Sequence, residues 1–392
     1  MPPQRRTAKP AAKTARAPRA TQNQRTNEGR DEEPPRAPRA ARKTARGSQK
    51  TARVSAKPKP SVAVVGAGRV GTALAVALER RGYPVVALVS RTPAHARRSA
   101  RLLASRPLAL GANGLERLPA THILIIAVPD DQIARVSTDL HAAMSKAAAP
   151  ALGARAREAL AEGARRGVVV SLDGVARGVP RRRVALHVSG ALPSQVLTPL
   201  RAHGYSTGSL HPLVSVADAA TGADALRGAF FCVEGETKAV RAARQIVADL
   251  GGESFSVAAE DKALYHAAAV FAAGHAVALF DVATRLLARC GVERKLARRA
   301  LVALNETALK NLAGARDNAG ALTGPFARRD HATVEAHVAA LAGRGLRAEL
   351  RLYLELGRHA TLMTSSRTWK GVGWVLDVIE RAQRELDEGG RE

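Results

Sequence analysis

The sequence predicts an α/β protein in which a doubly wound, mostly parallel sheet is followed by an all-helical region. From residue 62 onward, apolar runs of strand length alternate with helix-period segments, and right-handed crossovers turn such an alternation into parallel strands. Residues 122–128 (HILIIAV) are apolar from Ile123 onward, as expected of a central strand buried on both faces. After residue 260 the strand patterns stop, which predicts that the rest of the chain is helical.

The sheet region is predicted from short apolar or alternating runs, taken as strands, and longer segments with helical periodicity. Strands are predicted at residues 62–65, 84–90, 107–110, 122–128, 168–172, 184–188, 208–210, 229–233 and 253–257, the last as an edge strand. Helices are predicted between them at residues 69–81, 93–105, 132–149, 154–166 and 237–250. Pro150 separates two of these helices, and residues 174–183 read as a basic loop.

The helical region contains five segments with an apolar residue every three or four positions. They are predicted as helices at residues 261–290, 293–313, 333–342, 346–363 and 374–386. Gly291, Gly314, Gly343 and Gly345 stand near their ends, where glycine accepts the left-handed backbone that stops a helix. The chain therefore divides into a tail at 1–60, a sheet domain at 61–258 and a helical domain at 259–392.

The tail has a composition that predicts disorder. Residues 1–60 contain 17 Lys and Arg against 4 Asp and Glu, no aromatic residue and a single valine. So few apolar groups cannot offset the entropy lost on folding. Three interpretations stay open: an arm that contacts nucleic acid or another polyanion through charge, like the basic tails of linker histones, a solubilising extension, or a start codon placed too far upstream. Base-specific recognition is not expected, because aromatic side chains for stacking are absent.

Composition also limits the class of protein. With 392 residues, 46% of them hydrophobic, the chain is long enough for two or three domains with a core each. It shows no secretory signal, and its most apolar stretch, residues 267–279, is shorter than a membrane span. The two cysteines suggest neither a disulfide framework nor a metal cage. We therefore expect a cytoplasmic protein without membrane contact or a bound metal.

A glycine turn joins the first predicted strand to the first predicted helix. Its sequence is Gly66-Ala67-Gly68-Arg69-Val70-Gly71. In a strand–turn–helix unit the first glycine permits the tight turn, the second lets the backbone approach a pyrophosphate, and the third lets the helix pack closely on the strand. Backbone N–H groups at Arg69 and Val70 begin the helix and favour an anion. This order predicts a Rossmann-type dinucleotide site.

The end of the second strand indicates which dinucleotide is bound. It reads Ser90-Arg91-Thr92, and no Asp or Glu occurs between residues 82 and 113. An NAD site uses a carboxylate here for the ribose 2′-OH, whereas a guanidinium and two hydroxyls suit a 2′-phosphate. NADP is therefore favoured over NAD. Thr92 also fits as the cap of the next helix before Pro93, a role compatible with the first.

Two further groups of residues are expected at the carboxyl edge of the sheet, where α/β folds bind ligands. The loop after the central strand, with Ala127, Val128 and Pro129, is predicted to meet the cofactor. His187, His211, Lys262 and His266 are candidate proton donors or anion anchors, and Ser189, Gly190, Pro212 and Tyr265 candidate substrate contacts. For each histidine, a purely structural buried role remains the alternative.

Helix geometry separates these candidates further. Lys262 and His266 are four residues apart and share one helix face. His266 and His275 are nine apart and point in opposite directions, so this pair does not suggest a metal site. Residues 321–330 (ALTGPFARRD) read as a connector in which Gly-Pro ends one helix and Asp330 caps the next. The alternative is that this segment closes over the site, from the same or a partner subunit.

Taken together, the motifs VVGAGRVG, HVSGAL, SLHPL, LYHAAAVFAAGH and LTGPFARRD resemble the family that joins a Rossmann-like domain to the domain of unknown function 2520. This family is similar in plan to pyrroline-5-carboxylate reductase and to the β-hydroxyacid and 6-phosphogluconate dehydrogenases. The resemblance implies NAD(P), a helical second domain that builds a homodimer, and Lys262 where hydroxyacid dehydrogenases keep a lysine. The chain departs from the expected pattern at Gly274, where relatives suggest Asn, and at Arg329, where they suggest Gly.

The leading hypothesis is an NADP-dependent oxidoreductase that acts on a small anionic metabolite, with an imine or carbonyl carbon as hydride acceptor or its hydroxy or amino form as donor. The alternative is a non-catalytic NADP-binding sensor or scaffold whose basic tail binds nucleic acid or another polyanion. The first predicts loss of binding when Arg91 is changed. The second predicts loss of partner binding when the tail is removed, with strong salt dependence.

Overall fold

A computed structural model of the chain describes residues 58–148, 162, 165, 182–365 and 373–388. Residues 1–57 of the predicted basic tail, all but two residues of the helix predicted at 154–166, the strand predicted at 168–172 and most of the loop at 174–183 lie outside the described residues. Lys59 and Pro60 lead into the first strand.

The described residues confirm a doubly wound, mostly parallel sheet followed by helices. Eight strands are ordered β3-β2-β1-β4-β5-β6-β7-β8, and every neighbouring pair is parallel except β6 with β7. The strands are β1 (Val62–Val65), β2 (Val85–Ser90), β3 (Leu108–Gly111), β4 (Ile123–Ile126), β5 (Arg183–His187), β6 (Tyr205–Pro212), β7 (Phe230–Gly235) and β8 (Glu253–Phe255).

Five helices of the described part accompany the sheet, together with 3-10 segments at Ala112–Arg117 and Ser194–His203. They are α1 (Arg69–Arg80), α2 (Pro93–Ala100), α3 (Asp130–Ala148), α4 (Ala219–Ala225) and α5 (Thr237–Asp249). Both faces of the sheet are covered, because Val62 and Val64 join one apolar cluster while Ala63 and Val65 join another. This explains why β1 and β4 are apolar at every position.

The helical region begins directly after the edge strand. Its helices are α6 (Lys262–Arg289), α7 (Arg294–Gly314), α8 (Asn318–Ala321), α9 (Pro325–Arg328), α10 (His331–Ala342), α11 (Arg347–Ser365) and α12 (Gly373–Glu388). A π-helical segment, Phe271–His275, interrupts α6 without ending it. A small core of Leu350, Leu354, Ile379 and Ala382 joins α11 to α12.

Three expectations about these elements need correction. The helix predicted at 93–105 ends at Ala100, because the Glu79 carboxylate accepts the backbone N–H groups of Ala104 and Ser105 at 2.8 Å. The strand predicted at 208–210 is eight residues long, since it pairs on both sides. The expectation that no apolar segment reaches the length of a membrane span is wrong for α6, which is long and apolar enough by length and composition.

The connector before α10 has the predicted helix cap. Asp330 accepts the backbone N–H of Thr333 at 3.1 Å. Gly324 has φ +91° and Arg329 has φ +56°, a left-handed conformation that costs more for arginine than for glycine. That conformation explains why glycine is the residue expected at position 329.

Candidate active site

The register of four parallel strands brings the predicted motifs to one edge of the sheet. Val65 of β1 lies beside Ile126 of β4, Ile126 beside His187 of β5, and His187 beside Ser209 of β6. The glycine turn and the loop after β4 therefore lie at the same edge of the sheet as His187, the last residue of β5, and His211 near the end of β6. This edge is where open α/β sheets bind ligands.

The glycine turn has the geometry that the sequence predicted. Gly66 has φ +102°, and a Cβ on it would lie 2.4 Å from the carbonyl carbon of Ala127. A Cβ on Gly71 would lie 2.1 Å from the Gly66 carbonyl oxygen, so these two glycines let β1, α1 and the loop after β4 pack together. A Cβ on Gly68 would meet nothing within 4 Å. The backbone at Gly68 is therefore open to a ligand.

The start of α1 fits an anionic ligand. Its first turn contains no acidic residue, and no side chain caps it, so no side-chain oxygen occupies the position of a phosphate oxygen above the turn. Arg69 is exposed and Val70 is half-buried at this end of the helix. Ala127 donates its backbone N–H to the Val65 carbonyl at 2.7 Å, which holds the loop Ala127-Val128-Pro129 beside the turn.

At the end of β2, the roles of the three predicted residues differ. Thr92 accepts the N–H of His95 at 3.3 Å and caps α2 with Pro93 behind it. Ser90 is half-buried as the last residue of β2, whereas Arg91 is exposed and lines a cavity of about 330 Å³. No carboxylate stands at this strand end, which fits a 2′-phosphate better than a free ribose hydroxyl.

Ser189 is used inside the protein rather than left free for a ligand. Its hydroxyl donates to Asp130 at 2.7 Å and accepts the backbone N–H groups of Ala191 at 3.1 Å and Leu192 at 3.0 Å. Asp130 is the first residue of α3 and follows the loop after β4. Ser189 therefore connects that loop to the turn after β5.

Lys262 ties the helical region to this edge of the sheet. Its side chain is fully buried, and Nζ donates to the Ser189 carbonyl and to the Ser209 hydroxyl, both at 3.1 Å. Burial lowers the pKa of this ammonium, since a low-dielectric surrounding disfavours the charge. The first residue of α6 thus holds the ends of β5 and β6 together.

His187 is also fully buried, at the end of β5. Its Nδ1 accepts the backbone N–H of Ser189 at 3.2 Å. Burial, followed by the charge of Lys262, lowers the pKa of His187 to about 3. The imidazole is therefore neutral at physiological pH, and its contacts serve to shape the turn at residues 188–190.

A cluster of His211, Tyr265 and His266 is the more accessible part of the site. His211 Nδ1 lies 2.6 Å from the Tyr265 hydroxyl, and its ring meets the His266 ring edge to face, with 5.4 Å between centroids. Burial and then the charges of Lys262 and His266 lower the pKa of His211 to about 4, whereas burial raises the pKa of Tyr265. Both groups are neutral at pH 7.

Gly190 forms the wall against which these rings pack. A Cβ at this position would lie 2.3 Å from His266 Nδ1 and 2.9 Å from His211 Nε2. His266 Nδ1 is buried and has no hydrogen-bond partner among the described residues. A buried imidazole nitrogen without a partner costs free energy, so a polar ligand group is the natural partner for this cluster.

Some residues of the site did not stand out in the sequence. Cys232 lies opposite His211 in the register of β6 and β7, and burial raises the pKa of its thiol. Glu234 lies opposite Ser209 and accepts the Ser194 hydroxyl at 2.8 Å. These residues come from an antiparallel strand whose pairing the sequence does not reveal. The position of Asp130 could be predicted from the sequence, because it directly follows the loop Ala127-Val128-Pro129, which is expected at the same edge of the sheet.

Pro212, the last predicted substrate contact, is buried at the end of β6, opposite Phe231. In the part of the chain that the structure describes, no group of three or more His, Cys, Asp or Glu is arranged to hold a metal ion.

Comparisons with protein families fit both parts of this architecture. Residues 46–170 match the model of the Rossmann-like domain, and residues 229–360 match the domain of unknown function 2520, DUF2520. The chain joins a Rossmann-like domain to DUF2520. This confirms the resemblance that the sequence motifs indicated. A comparison with curated protein sequences finds no significant match.

Several solved structures are similar to this chain at low sequence identity. A candidate NADP oxidoreductase from Bacteroides fragilis has a TM-score of 0.53 and 21% identity, covering 78% of this chain and 98% of that chain. A pyrroline-5-carboxylate reductase from Streptococcus pyogenes has a TM-score of 0.48 and 12% identity, covering 79% and 99%. An imine reductase from Myxococcus stipitatus, in complex with NADP+, has a TM-score of 0.44 and 16% identity, covering 77% of this chain and 94% of that chain. The first similarity shows that the two chains share their fold.

Proposed function

We propose that the protein is an NADP-dependent oxidoreductase that transfers hydride between its cofactor and a small anionic imine or carbonyl compound, or the corresponding amino or hydroxy compound. The register that sets Val65, Ile126 and His187 side by side carries the proposal. It brings the glycine turn and the His211 cluster to the same sheet edge. The names of the structural neighbours, among them an imine reductase with NADP+, agree with this class of reaction.

The chain offers a consistent set of groups for NADP. The open backbone at Gly68 and the N–H groups of Arg69 and Val70 would hold the pyrophosphate, and Arg91 would hold the 2′-phosphate. The loop Ala127-Val128-Pro129 would line the cofactor site between the turn and β5. Bound NADP(H) supplies or accepts the hydride; the protein binds, orients and moves protons.

Proton transfer belongs to the cluster on α6 and β6. When the carbon of a C=N or C=O bond gains hydride, the π electron pair moves to nitrogen or oxygen, which then takes up a proton. With Tyr265 donating to Nδ1, the neutral His211 presents Nε2–H toward that atom and orients it. His266, half-buried and packed edge to face on His211, connects the reacting atom to solvent as a proton relay.

Lys262, Ser189 and His187 act as positioning residues in this scheme. Lys262 and His187 both hold the Ser189 backbone, which fixes Gly190 against the imidazole rings. The buried ammonium of Lys262 also gives the site a positive potential, which favours an anionic substrate.

The test compares three full-length proteins for their binding of the cofactor: wild type, Arg91→Asp and Arg98→Asp. Both positions are exposed and both changes alter the charge equally, but only Arg91 stands at the end of β2. We expect NADPH to raise the melting temperature of wild type and of Arg98→Asp. Arg91→Asp should bind NADPH at least about tenfold more weakly, through loss of a charge-assisted contact.

The same experiment can contradict the proposal, and a second one tests the role of the tail. If neither NADPH nor NADH at millimolar concentration shifts the melting temperature, the oxidoreductase proposal is wrong. If NADPH binds but deletion of residues 1–57 abolishes a salt-dependent affinity for DNA or heparin, the tail has the polyanion-binding role that its charge predicts.

A further inference from the structure

A cavity lies at the ends of β2 and β3, on the side of the glycine turn away from the histidine cluster. Its volume is about 330 Å³, within the size range of small-molecule pockets, and it is lined by residues of three different segments. Arg91 comes from the loop after β2, Arg97 from α2, and Arg117 from the 3-10 segment after β3. Three arginines from three segments thus line one small cavity.

Close packing at the end of β3 holds the three segments together. A Cβ on Gly111 would lie 2.8 Å from Cδ of Pro93, so glycine at this position lets the segment after β3 lie directly against the start of α2. The cavity is therefore shaped by packed backbone rather than by long side chains alone.

The charge of the cavity is unopposed in the described part of the chain. No Asp or Glu lines it, and none of the described ion pairs engages Arg91, Arg97 or Arg117. The acidic residue next to Arg117, Glu116, is paired with Lys146 at 2.7 Å. Three unpaired guanidinium groups repel one another, and a dianion such as a phosphomonoester removes that repulsion.

The position of the cavity indicates which phosphomonoester it takes. β2 is parallel to β1, and Val89 lies beside Val65, so the cavity is one strand away from the turn that binds a pyrophosphate. A dinucleotide that crosses this turn carries its adenosine toward β2 and its nicotinamide toward β5. The ribose 2′ position therefore faces the side of the three arginines.

We propose that Arg97 and Arg117 act with Arg91 as a three-arginine pocket for the 2′-phosphate of NADP, and that they determine the preference of the protein for NADP over NAD. This inference rests on the proposed NADP binding. It adds two residues outside the strand–turn–helix motif to Arg91, the residue proposed above to bind the 2′-phosphate.

The test measures dissociation constants of NADPH and NADH, which differ only in the 2′-phosphate, for the full-length chain. The variants are Arg97→Gln, Arg117→Gln and the control Arg98→Gln, which is exposed on the same helix but does not line the cavity. We expect each of the first two to bind NADPH about tenfold or more weakly while the affinity for NADH changes less than about twofold. The control should bind both as wild type does.

Different outcomes contradict the two proposals. If wild type binds NADPH tightly and both Arg97→Gln and Arg117→Gln retain that affinity, the three-arginine pocket is wrong while NADP binding stands. If a variant loses affinity for NADPH and NADH equally, its arginine does not contact the 2′-phosphate. If wild type binds neither dinucleotide, the proposed function itself fails. Arg117→Lys should keep part of the NADPH affinity, because lysine keeps the charge without the bidentate geometry.

Discussion

At the scale of single residues, Lys262 has the largest influence on the site. It is a buried cation that donates to a carbonyl of one strand end and a hydroxyl of the next. Its charge is the second cause, after burial, of the lowered pKa values of His187 and His211. The role of Lys262 can therefore be tested without knowing the substrate.

We predict that Lys262→Met raises the pKa of His211 from about 4 while leaving it below the ordinary histidine value, because burial persists. Methionine has a similar length and removes the charge. Histidine NMR titration of the folded protein measures the shift. Lys146→Met, at an exposed lysine paired with Glu116, serves as control. An unchanged His211 titration in Lys262→Met would show that the ammonium does not influence the imidazole.

At the scale of elements, the unit β1–turn–α1 separates structural from functional glycines. Gly71 faces the Gly66 carbonyl oxygen, whereas the space beside Gly68 is open, and its φ of −81° suits any residue. The three glycines of one motif therefore have distinct physical roles.

We predict that Gly68→Ala leaves the free energy of unfolding within about 1 kcal/mol of wild type but weakens NADPH binding, since the methyl group would occupy the approach of the pyrophosphate. Gly71→Ala should instead destabilise the fold by about 1–3 kcal/mol or more, because its Cβ would overlap backbone. Urea unfolding and NADPH titration of both variants measure these effects. Equal stability of the two variants would contradict the assignment of Gly71.

At the scale of the whole molecule, buried histidines make stability depend on pH. Burial lowers the pKa of His187 to about 3, and those of His203 and His211 to about 4. An unfolded histidine titrates near 6.5. Between about pH 4 and 6.5 the unfolded chain binds more protons than the folded chain, so stability rises with pH in this window and is lost on acidification.

We predict that the free energy of unfolding falls between pH 7.5 and 5, by up to about 1.4 kcal/mol per pH unit for each of these histidines. His203→Gln should show a shallower fall, because His203 packs against His141 with 3.1 Å between their ring nitrogens and stays neutral in the fold. The exposed His359→Gln is the control. Urea unfolding across this pH range gives the slopes, and identical slopes for wild type and His203→Gln would contradict the prediction.

The helical region exposes more apolar surface than a monomer in water normally does. On α6, Leu264, Phe271 and Val277 are 73%, 69% and 71% exposed, and on α7 Leu304 and Leu309 are 63% and 64% exposed. Large exposed apolar surfaces are typical of interfaces. They agree with the homodimer that the family resemblance implies.

We predict that the protein sediments as a dimer and that Phe271→Glu or Leu309→Glu shifts it toward the monomer, because a charge would be buried in the interface. Leu102→Glu, at an exposed position of the sheet region, should leave the dimer intact. Sedimentation velocity distinguishes these outcomes. A monomeric wild type, or a protein that needs detergent to stay in solution, would overturn the dimer.

The sequence predicted the order of strands and helices well, because each strand–turn–helix unit is specified locally. The run 62–65 ends at a glycine that needs positive φ, and the alternation of apolar segments predicts parallel pairing. Boundaries that depend on distant groups were missed. The early end of α2 depends on Glu79, a residue from another helix.

The sequence alone determined the fold class, the glycine turn and the strand ends that carry the candidate residues, since these depend on local periodicity and backbone preferences. Only the tertiary structure decided which of those residues hold the backbone in place and which are accessible to a ligand. It shows that Ser189 and Lys262 hold the turn while His211 and Tyr265 form the accessible pair. The physical reason is distance along the chain: Lys262 bonds to residues 53 and 73 positions away, and strand register, which no local pattern encodes, brings them together.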